Sequence, residues 1–167
     1  MKILKKIFFA SSLAAALVFG ACSSQSGSYI AATAPQEDIA AALDNSKWVP
    51  FFVVGESNIS VPPNAQTEFG KIFISFKRER GKTAVYGMSG ANIFRGEAEI
   101  KNDGEIEFKN ITSTMRMGRF AEYEALFLKA LADAKFAELA GASTLFLYDD
   151  NFNGERTLIM KLERIPN

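Results

Sequence analysis

The stretch that decides the fold is residues 97–108: Glu97-Ala98-Glu99-Ile100-Lys101-Asn102-Asp103-Gly104-Glu105-Ile106-Glu107-Phe108. Ala98 and Ile100 alternate with Glu97, Glu99 and Lys101. Beyond Asn-Asp-Gly, Ile106 and Phe108 alternate with Glu105, Glu107 and Lys109. A period of two marks a strand with one face on a core and the other in water. Side chains sharing a face pair directly across an antiparallel ladder. Ile100 is therefore expected opposite Ile106, and Ala98 opposite Phe108. That register leaves Asn102-Asp103-Gly104 as a three-residue loop, with Gly104 in the left-handed bulge position. A two-residue loop would set apolar against charged side chains along the whole pair. Glu97, Glu99, Glu105 and Glu107 then share the polar face, which reads as a solvated surface rather than as paired catalytic carboxylates.

Outward from this hairpin, strands dominate. Toward the C-terminus, Tyr123, Phe127, Leu131 and Ala134 recur at helical spacing, with Leu128 widening the stripe, and predict one helix over 121–134. Glu122 and Glu124 fall in its first turn, where acids suit the helix dipole. Strands are expected at 135–139, 144–148 and 157–163, the last showing Leu158, Met160 and Leu162 on one face. The stretch Asp149-Asp150-Asn151-Phe152-Asn153-Gly154 reads as a turn. It lacks the acidic ladder and closing glutamate of a calcium loop. Toward the N-terminus, Ile72, Ile74 and Phe76 alternate, and Arg80-Gly81 predicts a turn into a strand at 83–86. Residues 57–67, with Pro62-Pro63-Asn64, read as a loop. Residues 48–54 read as a buried first strand in which Pro50 implies an edge or a bulge. Residues 37–43 fit a turn or two of helix.

Residues 1–22 have another character. Lys2, Lys5 and Lys6 precede an apolar run from Ile7 to Phe19 that is too short to span a bilayer. It ends in Leu17-Val18-Phe19-Gly20-Ala21-Cys22, which resembles a bacterial lipobox with Phe19 where leucine is usual. The reading is a lipoprotein signal at 1–21, an acylated Cys22 with a polar tether at 22–42, and a domain at 43–167. Ser23 after the cysteine favours outer-membrane sorting, facing the periplasm. Removing three lysines from 19 basic groups leaves 16 against 19 acidic ones, a net charge of −3. Membrane attachment is then expected through the acyl chains, two or more of which hold stably.

Composition narrows the chemistry. The 167 residues are room for one domain, and 48% apolar with 23% charged residues is ordinary globular composition. Basic and acidic groups balance at 19 each, so no basic field points to nucleic acid. There is no histidine, which removes Ser-His, Cys-His and His-liganded metal sites. With a single cysteine there is no internal disulfide and no thiolate cage. No cofactor or metal is expected.

The middle of the chain resembles a known family. Tyr86-Gly87-Met88-Ser89-Gly90-Ala91-Asn92-Ile93-Phe94-Arg95-Gly96 is similar to the central signature of the META domain family, which includes the heat-inducible HslJ proteins. Gly90, Asn92, Phe94 and Gly96 match, and Ala91 stands where the family has cysteine. Thr114-Met115-Arg116-Met117-Gly118 resembles the second motif, with Thr114 matching and Gly118 in place of another cysteine. Glu124, Phe127, Leu128 and Leu131 follow the family's helix pattern, and Trp48 extends the match over about residues 43–165. Any family property that depends on the two thiols is absent here.

The resemblance implies a mainly β (α+β) fold: a curved, barrel-like antiparallel sheet of about seven or eight strands packed on one helix. Gly87, Gly90 and Gly96 are expected to serve close packing and tight crossings, and Asn92 and Thr114 to satisfy nearby backbone. An anion-binding nest at Gly90, Asn92 and Gly96 is the functional counterpart. The expected function is that of a non-enzymatic envelope lipoprotein in stress tolerance, or one holding a protein partner at the membrane. The alternative is a carrier or sensor whose barrel holds a small apolar ligand. An enzyme is the third reading, disfavoured by the missing histidine. An interior filled by Phe127 and Leu131 would favour the partner module over the carrier.

Overall fold

A computed structural model describes residues 38–55, 59–60, 72–118, 120–150 and 154–166. The Glu97–Phe108 register is as the alternation predicts: Ile100 pairs with Ile106 and Ala98 with Phe108. The loop closes with the Lys101 amide donating to the Glu105 carbonyl (2.9 Å) and the Gly104 amide to the Lys101 carbonyl (3.1 Å). Gly104 has φ +88°. The acids of the outer face meet lysines: Lys82 lies 3.0 Å from Glu97, and Lys109 bridges Glu99 and Glu107. Lys109 holds the exposed Glu99 carboxyl below its ordinary range by hydrogen bonding and charge.

The chain runs α1 (Ile39–Leu43), β1 (Ser46–Val54), β2 (Ile59–Ser60), β3 (Phe73–Glu79), β4 (Lys82–Met88), β5 (Ile93–Ile100), β6 (Ile106–Ser113), α2 (Ala121–Asp133), β7 (Phe136–Ala140), β8 (Thr144–Asp150) and β9 (Arg156–Ile165). Eight strands make one antiparallel sheet in the order β6-β5-β4-β3-β1-β9-β8-β7, and β2 pairs beside β1. The sheet curls into a half-barrel. Its two outer strands approach where Glu105 bridges Phe136, the Ile106 amide donates to the Lys135 carbonyl, and the Ala137 amide donates to the Gly104 carbonyl. Among the described residues the fold is mainly β with two helices.

Of the two expectations for Pro50, an edge or a bulge, the bulge is the one that forms, and two other local expectations need correction. β1 lies inside the sheet between β3 and β9, so Pro50 is not on an edge strand. Its ladder to β3 covers Ser46 to Trp48, and its ladder to β9 shifts register between Pro50 and Phe52. Pro50 thus marks a bulge, where a missing N–H costs no regular ladder bond. Within the expected loop 57–67, Ile59 and Ser60 pair with Val54 and Val53. Asp149 and Asp150 belong to β8 and pair with Thr157 and Arg156, so the turn between the last strands starts later than expected.

One core holds these elements together. Trp48, Phe76, Phe94, Phe127, Leu131, Leu145, Leu147, Met160 and Leu162 are buried with no more than 1% exposure. The inward side of every strand from β3 to β9 reaches it through alternate residues, as in Ile74 and Phe76 or Leu145 and Leu147. α2 covers the concave side of the sheet with Tyr123, Phe127, Ala130 and Leu131. α1 adds Ile39 and Leu43. Its start is capped by Asp38 Oδ1, which accepts from the Ala40 and Ala41 amides (3.1 and 3.3 Å).

Candidate functional site

The motif residues converge where β4 crosses into β5. Met88 pairs with Ile93, and the Ser89 amide donates to the Asn92 carbonyl (3.0 Å), so Gly90 and Ala91 form a two-residue turn. Most hairpin turns face water; this one is buried from Ser89 to Asn92. It packs beneath the start of α2 and beside residues 114–118. A buried turn must find partners for its polar groups.

Asn92 supplies most of them. Its Oδ1 accepts from the Thr114 hydroxyl (2.8 Å) and the Arg116 amide (2.7 Å), while its Nδ2 donates to the Arg116 carbonyl (3.0 Å). Both sides of one peptide segment are thereby fixed by one side chain. Thr114 also accepts from the Ile93 amide at Oγ1 (3.2 Å), and its own amide donates to the Ile93 carbonyl (3.1 Å). On the other side of the turn, the Ser89 hydroxyl donates to Glu124 Oε1 (2.6 Å). Glu124 is buried in the first turn of α2, and Gly90 lies against it: a Cβ at Gly90 would stand 3.5 Å from Glu124 Oε2.

The remaining motif residues serve close packing. Phe94 points inward, and its ring meets the Phe127 ring edge-on at 5.7 Å between centroids. That ring needs Gly87 opposite it, because a Cβ on Gly87 would lie 2.8 Å from the ring and 2.0 Å from the Phe73 carbonyl oxygen. Gly96 sits at the register shift between β5 and β6, where a Cβ would collide with Ile111 at 2.5 Å. Trp48 is fully buried on β1 and donates from its indole to Ser46 Oγ (2.6 Å). Leu131 lies one turn beyond Phe127 in the same core. Ala91 and Gly118, the two positions where the family pattern has cysteine, touch: a Cβ on Gly118 would be 2.6 Å from that of Ala91.

The structure thus gathers Gly90, Asn92, Thr114 and Glu124 into one crossing and sets Gly87, Phe94, Phe127 and Leu131 beneath it. Gly96 and Trp48 lie further along the sheet. Cys22 falls outside the described residues. The sequence reading missed Ser89, whose hydroxyl joins the turn to Glu124. A serine three residues before Asn92 carries no period that would reveal this bond. Two clefts, of about 260 and 350 Å³, open among charged and apolar side chains, with Ile106 and Phe136 in the first and Ala98 and Ile100 in the second. Lys101, Glu105 and Lys135 line the first; Arg78, Lys82 and Glu97 line the second.

Comparison with known proteins follows the same crossing. A structure described as "NMR structure of the protein from Burkholderia xenovorans" superimposes with a TM-score of 0.59 at 20% identity, over 87% of this chain and 100% of that one. This likeness is one of fold. No curated protein matches the chain. The family model of the META domain matches residues 41–163, which contain every motif residue named above except Cys22. The chain belongs to the META domain family.

Proposed function

We propose that this chain is a non-enzymatic lipoprotein of the bacterial envelope, anchored through Cys22, whose META domain holds a protein partner at the membrane and contributes to stress tolerance. The observation that carries the reading is how the motif side chains are spent. Asn92 uses its amide on Thr114 and Arg116, Ser89 and Glu124 bond each other, and Phe127 and Leu131 occupy the concave side of the sheet. A carrier of an apolar ligand needs a cavity of several hundred Å³ lined by apolar groups. The concave face is instead packed with side chains, Phe127 and Leu131 among them. A filled barrel with an internally satisfied motif is a scaffold, and scaffolds act through their surfaces.

Fractionation of cells carrying the wild-type chain or Cys22→Ser tests the anchor. The wild type is expected in the membrane fraction after high-salt and carbonate washing. Cys22→Ser is expected as an uncleaved precursor or a soluble form. Unchanged membrane partition of a processed Cys22→Ser chain would sink the lipoprotein reading.

A further inference from the structure

We propose that the tip Met115-Arg116-Met117 docks the domain on an anionic lipid bilayer. Met115 and Met117 are completely exposed, at 99% and 101% of their reference area. The tip is nonetheless held, because Asn92 grips the Arg116 peptide at both its amide and its carbonyl. The clamp presents two methionines to water on a fixed backbone. Beside it, the Thr114–Ile93 backbone bond joins the tip to β5, and Ile93 is 61% exposed. Cross-strand pairing puts Tyr86, Met88, Ile93 and Arg95 on one outward face of β4 and β5. Phe51, the other exposed aromatic of note, differs in having the Lys161 ammonium 4.1 Å over its ring.

Charge favours a lipid surface of negative sign. Arg116 stands in the tip itself, between the two methionines, and Arg95 is exposed on the outward face beside it. The acids nearest the tip in sequence are Glu122, exposed in the first turn of α2, and Glu124, buried on Ser89. By contrast, residues 97–109 hold four glutamates. An apolar tip that carries Arg116, with Arg95 beside it, fits the acyl boundary and headgroup phosphates of a bilayer. This goes beyond the anchor at Cys22 and does not depend on its acylation.

The test reads the tip itself, so attachment elsewhere on the full chain does not obscure it. Oxidation of Met115 and Met117 by peroxide is followed by peptide mass spectrometry, with buried Met160 as the marker of intact fold. Vesicles of phosphatidylethanolamine with phosphatidylglycerol are compared with vesicles of phosphatidylcholine. The anionic vesicles are expected to slow oxidation of both methionines at least about fivefold relative to the zwitterionic ones. Arg116→Gln, which leaves the backbone clamp in place, is expected to lose about fivefold of that protection. Equal oxidation in both vesicle types overturns the proposal. So does protection that arises only when envelope protein is added, which would put a protein partner at the tip.

Discussion

Asn92 shows how one buried side chain can carry a motif. Its amide satisfies the Thr114 hydroxyl and both the amide and the carbonyl of Arg116 in a part-buried crossing, and a side chain that ends at Cβ loses all three bonds. Asn92→Ala is expected to cost about 2–4 kcal/mol, measured by urea unfolding, since each stranded polar group costs about 1–3 kcal/mol. A loss below about 0.5 kcal/mol would mean that water replaces the clamp. Gly104 makes a separate demand. At φ +88° a β-branched residue is strained, so Gly104→Val is expected to cost about 1–3 kcal/mol in the same assay. Tyr123 presents the opposite case. It is 8% exposed, its hydroxyl has no hydrogen-bond partner among the described residues, and burial pushes its phenol well above the ordinary value. The unfolded chain ionises near pH 10 while the folded one stays protonated, so the folded state binds more protons there. Stability should therefore fall as pH rises above 10, by up to about 1.4 kcal/mol per unit from this group. Tyr123→Phe should match or exceed wild-type stability at pH 7 and lose less between pH 10 and 12. Parallel stability curves for the two proteins in alkali would contradict this assignment.

At the scale of the element, α2 and the Glu97–Phe108 hairpin were legible for the same reason: each carries its period within a dozen residues. Apolar groups at helical spacing place Phe127 and Leu131 on one face, and the structure buries both completely. Alternation together with loop length fixes Ile100 against Ile106, so no distant information is needed. The β4–β5 turn was legible only in part. Its glycines and asparagine stood out, but the Ser89–Glu124 bond joins residues 35 apart in sequence and follows no period. Pro50 announced an irregularity without saying which, because a missing N–H is tolerated at a bulge and at an edge alike. β2 was missed because a two-residue strand has no alternation to read. The helix also decides between scaffold and carrier. Phe127 touches the Phe94 ring, and its removal opens a hole that packed neighbours fill poorly. Phe127→Ala should cost about 3–5 kcal/mol, with no gain in binding of an apolar dye at neutral pH. A stable Phe127→Ala protein that binds the dye would restore the carrier reading.

At the scale of the molecule, the pairing that makes one body of the chain is the least local one. β1 lies between β3 and β9, so the first long strand joins the meander β3–β6 to the C-terminal strands β7–β9. Local alternation marks the buried faces of β1 and β9 but does not say that they meet, which is why strand order was not readable from sequence. The β1–β9 ladder runs from Lys47–Ile165 to Val53–Met160 and carries Trp48, Val53, Met160 and Leu162 into the core. Opening it separates the two halves of the sheet, whereas fraying at the far side of β6 exposes one strand. Native-state hydrogen exchange should reflect that difference. Ladder amides of β1 and β9 between Trp48 and Val53, and between Met160 and Glu163, are expected to exchange only through global unfolding. Their exchange free energies should equal the urea value and fall one-for-one with the loss in Phe127→Ala, because α2 packs on the same core. Amides of β6 near Ser113 should exchange through smaller openings that the substitution leaves nearly unchanged. If the β1–β9 amides instead exchanged at lower free energy than those of the Glu97–Phe108 hairpin, the two halves would be separate folding units, and the sheet would not be held by its first and last strands.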